Sequence, residues 1–293
     1  MKPLQIHIEG IGVWSKQLAN FAALQSLLSG DTPEPPPAKP AASTLPPNER
    51  RRAPESVLLA AEVAGQAVAM SGRAAASLTC VFSSSHGDQA ITDYMCSTLA
   101  NAPNELSPIR FHNSVHNAPA GYWTIATGCH EPSTAVCAHR LSFGAGLLEA
   151  ITHALADSCP VLLVCSDIAG VYPLVEETGC TQSFGCALVL APEASDRTLA
   201  SLEITLVPIG TVDPLTNDSL PEPLTGWRDA NASAESLPLL SLLCQGKGTC
   251  RLTAANKLVL QIELQPVALS AIATHQSNTE RARAESIHAE HVA

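Results

Sequence analysis

Apolar and polar positions alternate along LQIHIEGIGVW, residues 4–14, and this pattern predicts a strand running into a glycine-bearing turn. SKQLANFAALQSLLSG (15–30) switches to helical spacing and stops at Gly30. Residues 31–49 are too rich in proline for regular structure and predict an extended surface loop. SVLLAAEVAGQAVAMSG (56–72) is apolar nearly all round, as a helix buried on most sides would be. SLTCVFSSSHGD (77–88) predicts a buried strand entering a serine-rich turn, with a helix over 89–101. A polar loop over 102–120 leads into the helix-like AGYWTIATGC (120–129). PSTAVCA (132–138) predicts a short strand, SFGAGLLEAITHALAD (142–157) a helix, and PVLLVCSDIAG (160–170) a strand with polar residues at its carboxyl end. Strands follow over 184–192 and 201–210, then a loop over 211–230, a helix over 232–245 and a strand pair over 250–266 that turns at AAN.

Strands alternating with helices indicate an α/β fold with a mainly parallel sheet, which places ligands at the carboxyl ends of strands. Residues 1–268 read as one domain; residues 269–293 carry few core-formers and predict a frayed or partly helical tail. Composition agrees with this class: hydrophobic residues make up 46% of the chain and aromatics only 4%. The apolar mass is therefore alanine, leucine and valine, which suits helices packed on a buried sheet.

The formal charge of −11 weighs against nucleic acid and anionic membranes as partners. One dense cationic run interrupts it, Arg50, Arg51 and Arg52, which reads as a solvated helix start or as a contact for an acidic partner. The ten cysteines form no CxxC pair and several lie inside apolar runs, where a thiol behaves as a small hydrophobe. The opening residues read as a strand and not a leader, and no run reaches the ~18 apolar residues of a membrane span. A reduced, cytoplasmic protein without structural metal or cofactor is the expectation.

Dinucleotide, P-loop, zincin and serine-hydrolase motifs are missing. SSSHGD (83–88) reads as a plain strand-to-helix turn, and the GxG in SFGAGLLEA as close helix–helix packing. RFHNSVHNAPAGYWTIATG (110–128) is the most unusual stretch, since His112, Asn113, His116 and Asn117 repeat an HNxxHN unit before a helix. Such residues can cap orphan N–H groups and brace a loop. A metal would need converging imidazoles with carboxylate or thiolate help, and none is in local register.

Taken with PSTAVCAHRLSFGAGLLEA, this stretch resembles the N-terminal half of the β-ketoacyl synthases, and within them the divergent chain length factor branch of aryl polyene and xanthomonadin-type pathways. RRRAPESVLLAAEVAGQAV, PVLLVCSDIAGVYPL, FGCALVLAP and NASAESLPLLSLL extend the similarity in order over most of residues 4–265. The resemblance implies a thiolase-like layered αβαβα fold with its N-terminal half complete and its C-terminal half abbreviated. It also implies dimer formation, with Ser133, Thr134 and Ala135 on a strand near the two-fold interface.

In active relatives a cysteine heads the helix written here as SFGAGLLEA, where the helix N-terminus lowers the thiol pKa and backbone N–H groups form an oxyanion hole. Counting back from Glu149 and Ala150 places the nucleophile position near Arg140, and Cys137 falls about three residues early. The histidines and lysine that the resemblance implies for a second half are also missing. After residue 200 only His275, His288 and His291 occur, and Lys247 and Lys257 sit in turn-like contexts. The expected function is a catalytically silent subunit of chain length factor type that pairs with an active ketosynthase and helps wall the acyl or polyene pocket. Phe111, His112, Asn113, His116 and Asn117 are its candidate loop residues, and Arg50–Arg52 a candidate contact for an acyl carrier protein. Two alternatives stand beside it. One is a true acyl-transferring enzyme using Cys137 with His139 or His116 as base, Cys137 and His139 sharing one face of a strand. The other is a stand-alone acyl-binding protein.

Overall fold

The computed structural model describes residues 2–210 and 220–265. The tail at 269–293, part of the 211–230 loop, and His275, His288 and His291 lie outside the described residues.

Strand β1 (Leu4–Ser15) outruns its expected end by one residue, and helix α1 (Phe21–Leu28) starts later than its spacing suggested. The side chain of Asn20 explains the late start: it caps the helix by accepting from Ala23 N–H. Helices α2 (Pro47–Arg52) and α3 (Glu55–Ser71) precede β2 (Thr79–Ser83). Next come α4 (Gln89–Asn101), α5 (Pro108–His112) and α6 (Ala118–Thr127), then β3 (Ser133–Val136), α7 (Ser142–Ala156) and β4 (Val161–Asp167). Helix α8 (Leu174–Thr178), β5 (Phe184–Ala191), β6 (Ala200–Pro208), α9 (Leu224–Ala230), α10 (Leu237–Gln245), β7 (Gly248–Ala255) and β8 (Leu258–Gln265) complete the order. Two expected loops thus contain helix: the proline-rich segment ends in α2, and α5 interrupts the loop over 102–120.

The eight strands among the described residues form one sheet in the order β3-β2-β4-β5-β1-β6-β8-β7. The mainly parallel sheet expected from the apolar runs is corrected. Only the β2–β3 and β2–β4 ladders are parallel, and the other five are antiparallel. Burial on both faces makes a strand continuously apolar whichever way it runs, and β5 is buried at every position.

Small residues let helices approach the sheet closely. A Cβ at Gly10 or Gly12 would lie 2.0 Å from the carbonyl oxygen of Ala67 or Val63 on α3. The outer side of α3 is not bare either. Ala42 and Leu45 of the proline-rich loop are buried against Val57, Leu58 and Ala61, and Ala42 N–H donates to Glu62 (2.7 Å). The loop therefore covers a helix too apolar to face water.

Helix α7 is gripped from two sides. A Cβ on Gly144 would meet Thr253 O of β7 at 2.2 Å, and one on Gly146 would meet Ser83 Cβ of β2 at 3.0 Å. The glycines serve helix–sheet contacts on both faces, and not the helix–helix packing expected for the GxG. The sheet therefore curls so that its β7 end packs back over α7. The layers run α3, sheet body, α7 with α10, and the β7–β8 hairpin. These four of the five layers implied by the resemblance fit an abbreviated C-terminal half.

Candidate functional site

The parallel strands β2, β3 and β4 end together, and the turns that follow them build the site. β3 stops at Val136 and α7 begins at Ser142; between them His139–Leu141 form a single 3-10 turn. His139 takes φ +52°, a left-handed conformation that histidine, like asparagine and aspartate, adopts more readily than most residues. Buried Ser142 secures this turn. Its hydroxyl accepts from Ala138 N–H (2.9 Å) and lies 2.6 Å from His139 O, while its own carbonyl accepts from Ser83 Oγ (2.7 Å).

Strand, turn and helix follow one another as the resemblance implies for a nucleophile site, and no thiol sits at the helix head. Arg140 occupies the position reached by counting, and its side chain is spent on structure. Nη1 donates to Asp229 O (3.1 Å), and Nη2 donates to Arg228 O (2.7 Å) and to Glu235 (2.6 Å). The other oxygen of Glu235 accepts from Arg228 Nε (2.6 Å), so one carboxylate joins two guanidiniums.

Cys137 lies beyond the end of β3, exposed, and its thiol donates to Ser85 O (3.1 Å). The expectation that Cys137 and His139 share a strand face is corrected, because the chain leaves the strand at Val136 and turns. The His139 ring instead packs edge-on against His86, with centroids 5.1 Å apart. His116 does reach the same cleft, and its Nε2 lies 3.1 Å from Ser84 O, so that nitrogen carries the proton.

Below these turns lies a buried anchor that the sequence reading passed over. Asp167, at the carboxyl end of β4, is 3% exposed. One of its oxygens accepts from Ser84 Oγ (2.7 Å), Ser85 N–H (2.8 Å) and Ser85 Oγ (3.0 Å), and the other from Ser233 Oγ (2.6 Å). Asn231 donates to Asp167 O (2.9 Å) and Gln182 O (2.7 Å). SSSHGD is thus more than a plain turn, since its serines are pinned to Asp167. The available signal was the polar end of VLLVCSD and the small polar run NAS at 231–233.

Thiols near this anchor are held protonated. Burial pushes Cys180 and Cys186 up to about 12 and raises Cys165 well above the ordinary thiol value; the Asp167 carboxylate adds to each shift, and nearby hydrogen bonds offset part of it. His86 is held below the ordinary histidine value by burial; Asp167 opposes the shift and His139 reinforces it.

The HNxxHN unit divides. Asn113 is buried and accepts from Tyr122 Oη (3.2 Å), whereas Phe111, His112 and Asn117 are exposed. Asn117 occupies the N-cap of α6 but makes no side-chain cap bond, which corrects the capping role expected there. The bracing comes from Asn113 and His116. Two depressions flank α6. An open cleft of about 600 Å³ is lined by His116, Asn117, Ser133, Thr134, Ala135 and Cys137. An apolar groove of about 560 Å³ runs between α2, α5 and α6, with Ile109, Val115 and Ile125 in its walls and Arg52 and His112 at its margin. Arg51 and Arg52 are exposed, and Arg50 is half-buried with a weak donation to Ala41 O (3.4 Å). Among the described residues strand β3 is an edge of the sheet, with β2 as its one ladder partner. Among the described residues no helix is long and apolar enough to cross a membrane, and no cluster of three or more potential ligands could hold a metal.

Comparison with known proteins follows from this geometry. The β-ketoacyl synthase N-terminal domain family matches residues 25–258. No curated protein sequence matches. Among solved structures, a chain of the ketosynthase ApeO in complex with its chain length factor ApeC from Xenorhabdus doucetiae is 21% identical, with a TM-score of 0.64 over 89% of this chain and 99% of that one. The ishigamide ketosynthase/chain length factor is 16% identical, with a TM-score of 0.68 over 90% and 100% of the two chains. A β-ketoacyl synthase from Burkholderia phymatum STM815 is 10% identical, with a TM-score of 0.62 over 91% and 100%. These likenesses establish a thiolase-like ketosynthase fold.

Proposed function

The chain belongs to the β-ketoacyl synthase N-terminal domain family, and from that premise we propose that it is a catalytically silent subunit of chain length factor type. It pairs with an active ketosynthase and walls part of the pocket that holds a growing acyl or polyene chain. One observation carries this reading: the helix head that would hold a nucleophilic thiol holds His139 and Arg140, and the Arg140 guanidinium is tied to two carbonyls and Glu235. A guanidinium cannot attack a thioester, and a side chain committed to three bonds does not turn into a cleft.

The surface supports a paired state. An open edge strand leaves backbone donors and acceptors unmatched, and proteins rarely leave such an edge uncovered. Ser133, Thr134 and Ala135 lie on that edge, and Ile109, Phe111 and Ile125 on helices α5 and α6, with Val115 in the turn between them, expose apolar surface. The apolar groove beside α6 suits a hydrocarbon chain, and Arg50–Arg52 on its outer helix suit an acidic carrier protein.

Acyl transfer through Cys137 is the second reading, favoured by its exposure in the cleft that His116 also lines. The thiol donates to a carbonyl, which does nothing to activate it.

Co-expression with a ketosynthase from the same source tests the pairing. We expect the two chains to copurify one to one, with this chain poorly soluble alone. A well-behaved protein that ignores the ketosynthase would point to a stand-alone acyl binder.

A further inference from the structure

Residues 84–87 and 137–141 meet face to face, and imidazole rings occupy the seam. His86 and His139 pack edge-on, with centroids 5.1 Å apart and planes 84° apart. His116 closes the other side: its ring carbon lies 3.8 Å from where a Gly87 Cβ would sit, and its Nε2–H donates to Ser84 O. Cys137 donates to Ser85 O.

Carboxylates nearby are already committed. Both Asp167 oxygens are filled by Ser84, Ser85 and Ser233. Asp88 accepts from Ile91 N–H (3.0 Å) and Ser56 Oγ (2.8 Å). The Arg140 guanidinium, the nearest permanent cation in the turn, is turned to Glu235. An added proton on half-buried His86 therefore finds no free hydrogen-bonding carboxylate, and the neighbouring His139, itself exposed, disfavours it further.

We propose that the His86–His139 pair is a proton-sensitive latch on the head of α7: neutral rings hold the two turns together, and protonation at mildly acidic pH releases them. Release would loosen the His86 and His139 ends of the two turns, beside the part of the cleft where Cys137 and His116 lie, while Ser84 and Ser85 stay pinned to Asp167. The sign follows from linkage. His86 is held below the ordinary histidine value of 6.5 in the fold, so the opened turn binds protons more readily than the closed one. Closure is therefore fully stable above that value and weakens as pH falls below it.

Hydrogen exchange on the intact chain, normalised for the intrinsic pH dependence of amide exchange, reads the latch directly. Between about pH 7.5 and about pH 5.5 we expect exchange in residues 86–87 and 138–141 to rise, by at most roughly tenfold, the limit for one extra proton over one pH unit. Amides of β4 should not change. His86→Gln should flatten the response and His139→Asn should reduce it; asparagine is the conservative choice at 139 because it tolerates positive φ. Salt at about 1 M should blunt the response in the unmodified chain by screening the two charges. An equal acid response in both variants, a flat response in the unmodified chain, or a parallel rise in β4 would overturn the latch.

Discussion

Replacing Arg140 with methionine keeps most of the side-chain length and apolar stem but removes every donor. Three bonds are lost, to Asp229 O, Arg228 O and Glu235. The side chain is 33% exposed and Glu235 23%, so water screens the charges and replaces part of what is lost. At about 1 kcal/mol for each bond, below the range for charged partners in full burial, the gross loss is about 3 kcal/mol. Rotamer freedom recovered by the shorter-ranged side chain returns about 1 kcal/mol, leaving about 2 kcal/mol. For a domain of this size that lowers Tm by roughly 3–4 °C. A double-mutant cycle with Glu235→Gln should isolate a coupling of about 1 kcal/mol for the ion pair, with the two carbonyl bonds accounting for the remainder. Calorimetry or circular dichroism on the four proteins supplies the numbers. If Arg140→Met stays within about 0.5 kcal/mol of the parent, the guanidinium does not clasp the 228–235 segment and the reasoning that removes it from the cleft fails.

Gly144→Ala should cost about 3 kcal/mol or more, because the backbone of Thr253 cannot retreat from a Cβ 2.2 Å away; Gly146→Ala, which meets Ser83 Cβ at 3.0 Å, should cost clearly less in parallel melts. Arg73→Met strands Glu9, whose buried carboxylate otherwise accepts from Arg73 and Ser195, and should cost about 3–5 kcal/mol in urea unfolding. Burial alone would raise the Glu9 pKa, but hydrogen bonds from Arg73 and Ser195 and the charges of Arg73 and Arg197 take it below the ordinary glutamate value. The pair therefore stabilises fully above that value and loses its effect as pH falls through the depressed one, so the gap between parent and variant should close in acid. A neutral alkylating reagent on the native protein should modify the exposed Cys96 and Cys137 first and leave Cys180, Cys186 and Cys244, which burial pushes to about 12, unmodified until unfolding; peptide mass mapping decides it.

Periodicity and turn residues located nearly every strand and the long helices, because each is one face of a core and carries that face in its spacing. Direction was not legible. FGCALVLA and VLLVCSD are buried on both faces, and such runs look alike in parallel and antiparallel ladders. The same limit hid the curl of the sheet over α7, which depends on Gly144 and Thr253 meeting across more than a hundred residues. At the site, the missing thiol could be read by counting residues from Glu149. What Arg140 does instead could not, since its partners arrive from α9 and the turn after it. Asp167 was equally hidden. A carboxylate at a strand end is ordinary in sequence, and only the return of Ser84, Ser85 and Ser233 to it makes it an anchor.

The silent-subunit claim is tested most directly by intact-mass analysis of the copurified complex after exposure to an acyl thioester. We expect the acyl adduct on the ketosynthase chain alone, and turnover unchanged by Cys137→Ala in this chain. An adduct on Cys137, with turnover abolished by Cys137→Ala, would contradict it.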